Sequence, residues 1–298
     1  MQANIFKIQK TMEPDCSALQ TTVYFKGCPL RCSWCSTPKS QNRPTQILWD
    51  SKRCLFCGLC EASCPTHSLR FEGNRLVFSP DTCSACRTCI QNCPPRMLHF
   101  VGKMMELDEV MDIVLEDKQH YGATGGITLS GGDALLQPNF AANLLRQCHR
   151  NSIHTTLETT GFAQPLAFAR LIAHTDKLIL DIKHYSEKKH VQFTGVSNQT
   201  ILENMDFAVA SGIPVTARIT ITPGINDTLC DAREFARLFS EHHIKSVYLV
   251  RYDSLGAKKY EEFHMPAITA SSASFTEENM MRYAKVLQEH GLEVRIFQ

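Results

Sequence analysis

Residues 21–38 read TTVYFKGCPLRCSWCSTP. The opening run, Thr21–Lys26, is apolar and β-branched and is expected to be a strand. Directly behind it stand Cys28, Cys32 and Cys35. At the spacing C-x3-C-x2-C, three thiolates can hold three irons of a cubane and leave the fourth open. An open metal position is what a catalytic site requires, as opposed to a closed structural one.

Downstream the pattern alternates. Strands are expected at Gly126–Ser130, His154–Glu158, Lys177–Ile182, Pro214–Ile221, Ser246–Arg251 and Glu293–Phe297. Between them lie helices at Pro138–Arg150, Gln164–His174, Asn198–Ser211, Thr228–His242 and Thr276–His290, preceded by an amphipathic one at Glu106–His120. This alternation argues for an α/β fold with a parallel sheet and helical crossovers. About seven strands suit either an open doubly wound sheet or a partial barrel, and periodicity does not separate the two. The stretch 48–101 shows little helix or strand periodicity. It reads as an insertion held by metal ligands rather than by an apolar core, leaving 1–47 and 102–298 as the main domain.

The composition is that of an ordinary globular chain: 298 residues, 43% hydrophobic and 20% charged. Lys and Arg number 31 against 30 acidic residues, so no basic excess marks a nucleic-acid binder. No apolar run approaches the roughly 18 residues that span a bilayer, and the N-terminus carries no secretory pattern. A cytoplasmic protein is expected, which makes 14 cysteines unusual and favours metal ligation over disulfides. Eight of them form two C-x2-C-x2-C-x3-C-P runs, Cys54, Cys57, Cys60 and Cys64, then Cys83, Cys86, Cys89 and Cys93. This is the bacterial ferredoxin run, in which the fourth cysteine ligates the other cluster. Cys54, Cys57, Cys60 and Cys93 are therefore expected on one cubane and Cys83, Cys86, Cys89 and Cys64 on a second. Zinc also takes four thiolates, but its ribbons use two separated C-x2-C pairs. Cys16, Cys148 and Cys230 stand apart and read as small hydrophobes or incidental thiols.

Several strand ends carry polar groups. Ser130-Gly131-Gly132-Asp133 closes one strand, where glycine permits close approach of a ligand. Glu158-Thr159-Thr160-Gly161 follows the next. Asp181 and Lys183, two apart on an extended segment, can share a face, with a surface salt bridge as the plain alternative. Arg218, inward on a parallel strand, needs an anionic partner.

Together these motifs resemble the radical S-adenosylmethionine (SAM) superfamily. More closely, the chain resembles the glycyl-radical-enzyme activating enzymes that bear a two-cluster ferredoxin insertion. The likeness rests on KGCPLRCSWCSTP, the cysteine runs, ITLSGGDALLQ, LETTG, LDIKH, the PGIND turn, Leu255-Gly256 and Lys259-Tyr260. It implies a partial (β/α)6 barrel carrying three [4Fe-4S] clusters. SAM would be lined by Trp34, Cys35 and Ser36, by Gly131, Gly132 and Asp133 (where the family has Glu), and by Asp181, Ile182 and Lys183, with Arg218 on its carboxylate. It also implies reductive cleavage of SAM to a 5′-deoxyadenosyl radical that takes hydrogen from a backbone glycine of a partner enzyme. The electron donor would be flavodoxin or ferredoxin, the chain a monomer, and neither nucleic acid nor membrane a partner. Two departures stand out: Asp15-Cys16-Ser17-Ala18-Leu19-Gln20-Thr21 replaces a DGPG-I-R-T stretch, and Arg251-Tyr252-Asp253 replaces Pro-Tyr-His. One rival is a radical SAM enzyme for a small molecule or peptide, disfavoured because the cysteine runs directly follow the first motif. A non-enzymatic ferredoxin-like carrier would leave about 190 residues of β/α pattern unexplained.

Overall fold

The strand expected at Thr21–Lys26 is present as β2 (Leu19–Phe25), but it is not the first. In the computed structural model, which describes residues 1–12, 18–252 and 275–297, an unexpected β1 (Gln2–Met12) runs antiparallel to it. Ala3, Asn4 and Ile5 of β1 are all buried and its far end is exposed, so no two-residue period marks it. Cys16, Asp253, Leu255, Gly256, Lys259 and Tyr260 lie outside the described residues.

The cysteine-rich stretch has more regular structure than its sequence suggests. Antiparallel to each other are β3 (Gln46–Trp49) and, at the far end, β6 (Leu98–Val101). Between them come the one-turn helix α1 (Leu59–Ala62), the hairpin β4 (Leu69–Glu72) and β5 (Arg75–Phe78), and a second one-turn helix α2 (Thr88–Gln91). Four-residue strands are too short for alternation to register. The expectation of an insertion without an apolar core is also corrected. Trp49, Leu69, Met97 and Leu98 are buried together, and the rings of Trp49, Phe56 and Phe71 pack at 5.8 to 6.0 Å. The backbone is duplicated. Positive φ recurs at Phe56 and Ala85, Gly58 and Arg87, and His67 and Arg96, each pair 29 residues apart like the cysteines.

From β7 (Lys103–Glu106), which pairs antiparallel with β1, the chain enters α3 (Leu107–Asp117) through a capping box of Glu106 and Glu109. There follow β8 (Gly126–Gly131), α4 (Pro138–Arg150), β9 (His154–Thr159), α5 (Pro165–Ile172) and β10 (Lys177–Asp181). Next come α6 (Glu187–Thr194), α7 (Gln199–Ala210), β11 (Val215–Ile221), α8 (Leu229–Glu241), β12 (Ser246–Arg251), α9 (Glu277–Glu289) and β13 (Glu293–Phe297). The expected elements agree within about two residues, α3 continuing as a 3-10 turn to His120; α6 was not expected.

Strand order settles the architecture that periodicity left open. The sheet runs β7-β1-β2-β8-β9-β10-β11-β12-β13, and from β2 onward it is parallel and in chain order. A doubly wound sheet reverses its order at a switch point, and this one does not. Right-handed crossovers stepping one way put the helices on one face. The other face lines an opened barrel, with all parallel strands ending toward one mouth.

Gly126 marks where β8 meets β9 most tightly: a Cβ there would lie 2.1 Å from the His154 carbonyl oxygen. Gly126→Ala is expected to destabilise by about 1–3 kcal/mol, the usual cost of overpacking, seen as a lower urea midpoint. An unchanged midpoint would show that the two strands part without cost.

Candidate functional site

The cysteine loop is fixed from both flanks. Lys26, which ends the β2 run, is fully buried. Its ammonium donates to the carbonyls of Lys39 and Asn42, each at 2.8 Å, and to Gln46 Oε1 at 2.7 Å. All three N–H groups are thus on oxygen, although burial still pulls the Lys26 pKa down to about 7. Gly27 N–H and Cys28 N–H donate to the Ser40 and Gln41 carbonyls at 2.7 and 3.0 Å. On the opposite flank, Arg31 N–H and Ser33 N–H donate to the Thr194 and Phe193 carbonyls at the end of α6, at 2.7 and 3.0 Å. Trp34 is buried with its ring edge-on to Phe193, and Ser36 is exposed.

The glycine-rich turn closes against this loop. Gly132 N–H and Asp133 N–H donate to the Phe25 and Gly27 carbonyls at 2.8 and 2.7 Å. A Cβ at Gly132 would lie 2.1 Å from Gly27 O, so no larger residue permits the contact. Gly131, at φ +110°, turns the chain after β8. Asp133 is fully buried, and its carboxylate accepts from Leu135 N–H at 3.0 Å, Thr159 Oγ1 at 2.8 Å, Thr160 N–H at 2.9 Å and Thr160 Oγ1 at 2.6 Å. Burial pushes this carboxyl up and the donors pull it back. Through these bonds Asp133 fastens β8 to β9.

A charged network crosses the mouth. Asp181 and Lys183 share a face, as expected, with Nζ 3.0 Å from Oδ2. Ile182 points the other way, 2% exposed in the main core, with its N–H on the Arg218 carbonyl. Arg218 faces Asp181 in the strand register and grips it bidentately, Nε to Oδ1 at 2.6 Å and Nη2 to Oδ2 at 3.0 Å. Its Nη1 is 3.1 Å from Glu158 Oε2, which also accepts from Ser130 Oγ at 2.7 Å. The anion expected from a ligand is thus supplied by Asp181 and Glu158. Burial would raise the Asp181 carboxyl, but Arg218 and Lys183 hold it far below the carboxylate range. Burial likewise opposes the Lys183 charge, and Asp181 then Cys32 hold it up.

The three thiols stand between these groups. Burial pushes each of them up; Asp133 adds to this at Cys28, while Lys183 opposes it at Cys32 and Cys35. In the cysteine-rich stretch, a recess is lined by Cys54, Cys57, Cys60 and Cys93. Another is lined by Cys64, Cys83, Cys86 and Cys89. The fourth cysteine of each run therefore crosses to the other run's recess. Among the described residues, no three His, Cys, Asp or Glu side chains converge as ligands of a single ion do. All-thiol sets spread around a recess suit an iron–sulfur cube, whose irons reach out to separate sulfurs.

Sequence reasoning placed Glu158 at a strand end without giving it a role, and it passed over Lys26. The first was legible from its position at the mouth. The second had no local signal, because its partners lie 13 to 20 residues away.

Arg218→Ala is expected to cost about 3–5 kcal/mol, since it leaves Glu158 without its cation and Asp181 with Lys183 alone. Urea denaturation checks this, and a loss below about 1 kcal/mol, the worth of an exposed pair, would mean that solvent screens the network.

The sequence model of the radical SAM superfamily matches residues 22–239. The chain is 32% identical to the choline trimethylamine-lyase activating enzyme of Oleidesulfovibrio alaskensis over 99% of its own length and 98% of the relative's. It is 37% identical to the isethionate sulfite-lyase activating enzyme of the same organism, over 86% and 85%. Among solved structures, a radical SAM methyltransferase from Sphaerobacter thermophilus shares the fold, with TM-score 0.57 and 15% identity over 97% of this chain and 68% of that one. No helix among the described residues is long and apolar enough to cross a membrane. Family membership implies a [4Fe-4S] cluster and SAM, which suits the thiol loop at the mouth of the sheet, and the chain belongs to the radical SAM superfamily, among the activating enzymes of glycyl radical enzymes.

Proposed function

We infer that this chain activates a glycyl radical enzyme with the help of three [4Fe-4S] clusters, one at the barrel mouth and two in the insert. The observation that carries the reading is the gathering of Cys28, Cys32 and Cys35 in one cluster on the loop that the glycine-rich turn holds through the Gly27 carbonyl. When bound, the open-iron cluster and SAM supply a one-electron cleavage of the C5′–S bond, giving methionine and a radical that takes hydrogen from a partner's backbone glycine.

The chain's own residues bind and orient. Cys28, Cys32 and Cys35 would hold three irons and leave the fourth to the substrate. Lys183 has three N–H donors and, among the described residues, one carboxylate partner, Asp181, so it is the cation for the SAM carboxylate. Arg218 holds Asp181 in place for this. Trp34, Ser36, Gly131 and Gly132 would border the ligand, and the apolar side chains of Leu30 and Phe193 keep water from the thiols. Cys54, Cys57, Cys60 and Cys93, and likewise Cys64, Cys83, Cys86 and Cys89, would hold the relay that takes electrons from a flavodoxin or ferredoxin. The activator would act as a monomer that docks on its partner. The relatives serve enzymes with different substrates, so similarity alone does not select the partner.

Anaerobically reconstituted chain is expected to hold about twelve irons, three cubanes, and to release 5′-deoxyadenosine from SAM under dithionite. Cys35→Ala is expected to abolish release while about eight irons remain. Release by the variant at the wild-type rate would remove the loop from the chemistry. In the wild type, about four irons with normal release would remove the two insert clusters. Lys183→Met is expected to raise KM for SAM more than it lowers kcat.

A further inference from the structure

The two cysteine runs repeat at an offset of 29 residues, and so do their backbone hydrogen bonds. Phe56 N–H and Ala85 N–H reach Cys54 Sγ and Cys83 Sγ, both at 3.4 Å. Ser68 N–H and Met97 N–H reach Cys64 Sγ and Cys93 Sγ at 3.2 and 3.3 Å. Because the fourth cysteines cross over, each recess receives one bond of each kind. These four backbone bonds are therefore matched between the two sites.

The side chains repeat only in part: Trp49 and Phe78, Phe71 and Phe100, and Leu98 and Leu69 are apolar at matching positions of the two recesses, and four other positions differ. Leu55, Gly58, Pro95 and Met97 line the recess of Cys54, Cys57, Cys60 and Cys93. At the matching positions, 29 residues away, Ser84, Arg87, Thr66 and Ser68 line the other. Leu59 is likewise matched by Thr88, whose hydroxyl donates to Cys86 Sγ at 3.3 Å. Thr66 Oγ1 lies 3.7 Å from Cys64 Sγ and ends a hydroxyl chain, 2.7 Å to Ser68 Oγ and 2.9 Å on to Thr82 Oγ1. The three hydroxyl protons can all point along this chain to the sulfur, or away from it to the Ser79 carbonyl, which Thr82 reaches at 3.3 Å. Negative charge on the sulfur selects the first arrangement.

We propose that this divergence makes the two four-cysteine sites unequal toward an electron, with the Cys64, Cys83, Cys86 and Cys89 site the more readily reduced and Thr66 and Thr88 tuning it. The inference rests on the reading that each recess holds a [4Fe-4S] cluster. Reduction adds one negative charge and no proton. Hydroxyl donors on the sulfurs and the Arg87 cation stabilise that charge; both recesses share an apolar wall, but the other has Leu55, Gly58, Pro95 and Met97 at the matching positions. Burial of Cys64 and Cys89 acts in the opposite sense, but it is general to the site, while the hydroxyls act on the sulfur atoms themselves. An electron shared by the pair therefore resides in the hydroxyl-lined recess.

The test uses the full chain with Cys28, Cys32 and Cys35 all changed to Ala, reconstituted anaerobically and followed by EPR as dithionite lowers the potential. About eight irons per chain are expected, two cubanes. Two one-electron steps should appear, at least tenfold apart in reduced-to-oxidised ratio at a common potential, or about 59 mV. Adding Thr66→Val and Thr88→Val should lower the upper step and leave the lower one in place. Arg87→Gly, which copies the other repeat, should do the same independently. Coincident steps in the parent, or variants that move the lower step, would overturn the inference while leaving the clusters intact. Iron near zero would overturn the cluster reading and this inference with it.

Discussion

The buried ammonium of Lys26 ties the end of β2 to the chain that follows the cysteine loop. Its three hydrogen bonds pull that chain back against the sheet. Its own carbonyl accepts from Gln137 Nε2 at 3.0 Å; the same amide donates to Asn4 O at 3.0 Å and accepts from Asn4 N–H at 2.7 Å. Asn4 in turn donates to the Arg43 carbonyl at 2.9 Å. One polar knot thus joins β1, the end of β2, the loop behind the thiols and the entry to α4. Its groups are buried and largely paired, which is when such networks rigidify a structure.

On this frame the mouth of the sheet is built from paired charges. Two cations, Arg218 and Lys183, meet two carboxylates, Asp181 and Glu158, across three neighbouring strands. Arg218 spends its fork on protein carboxylates, which is a positioning role, and Lys183 is left facing the thiols. Asp133 does for the glycine-rich turn what Arg218 does for Asp181: its carboxylate holds two strands together.

The cysteine-rich stretch shows another division. Its backbone, its cysteines and its N–H···S bonds are duplicated, as are apolar residues such as Trp49 and Phe78, while Leu55, Gly58, Pro95 and Met97 are matched by Ser84, Arg87, Thr66 and Ser68. Duplicated ligands with unlike surroundings are the means by which one protein can hold two similar centres at different electron affinities.

The sequence by itself determined the α/β alternation, the long helices and strands, and the grouping of the cysteines, because these depend on periodicity and on spacing along the chain. The 29-residue duplication was equally legible, as a repeated ligand pattern. Other features were decided only by tertiary structure. β1 and the four-residue strands of the cysteine-rich stretch carry no period of their own and exist because a neighbour completes their hydrogen bonds. The choice of an opened barrel over a doubly wound sheet is a property of strand order, which no local pattern encodes. The roles of Asp133, Ile182 and Arg218 turned on which way each side chain faces and which donors or carboxylates fold up beside it. Those partners lie 2 to 60 residues away in sequence and meet only when the strands align.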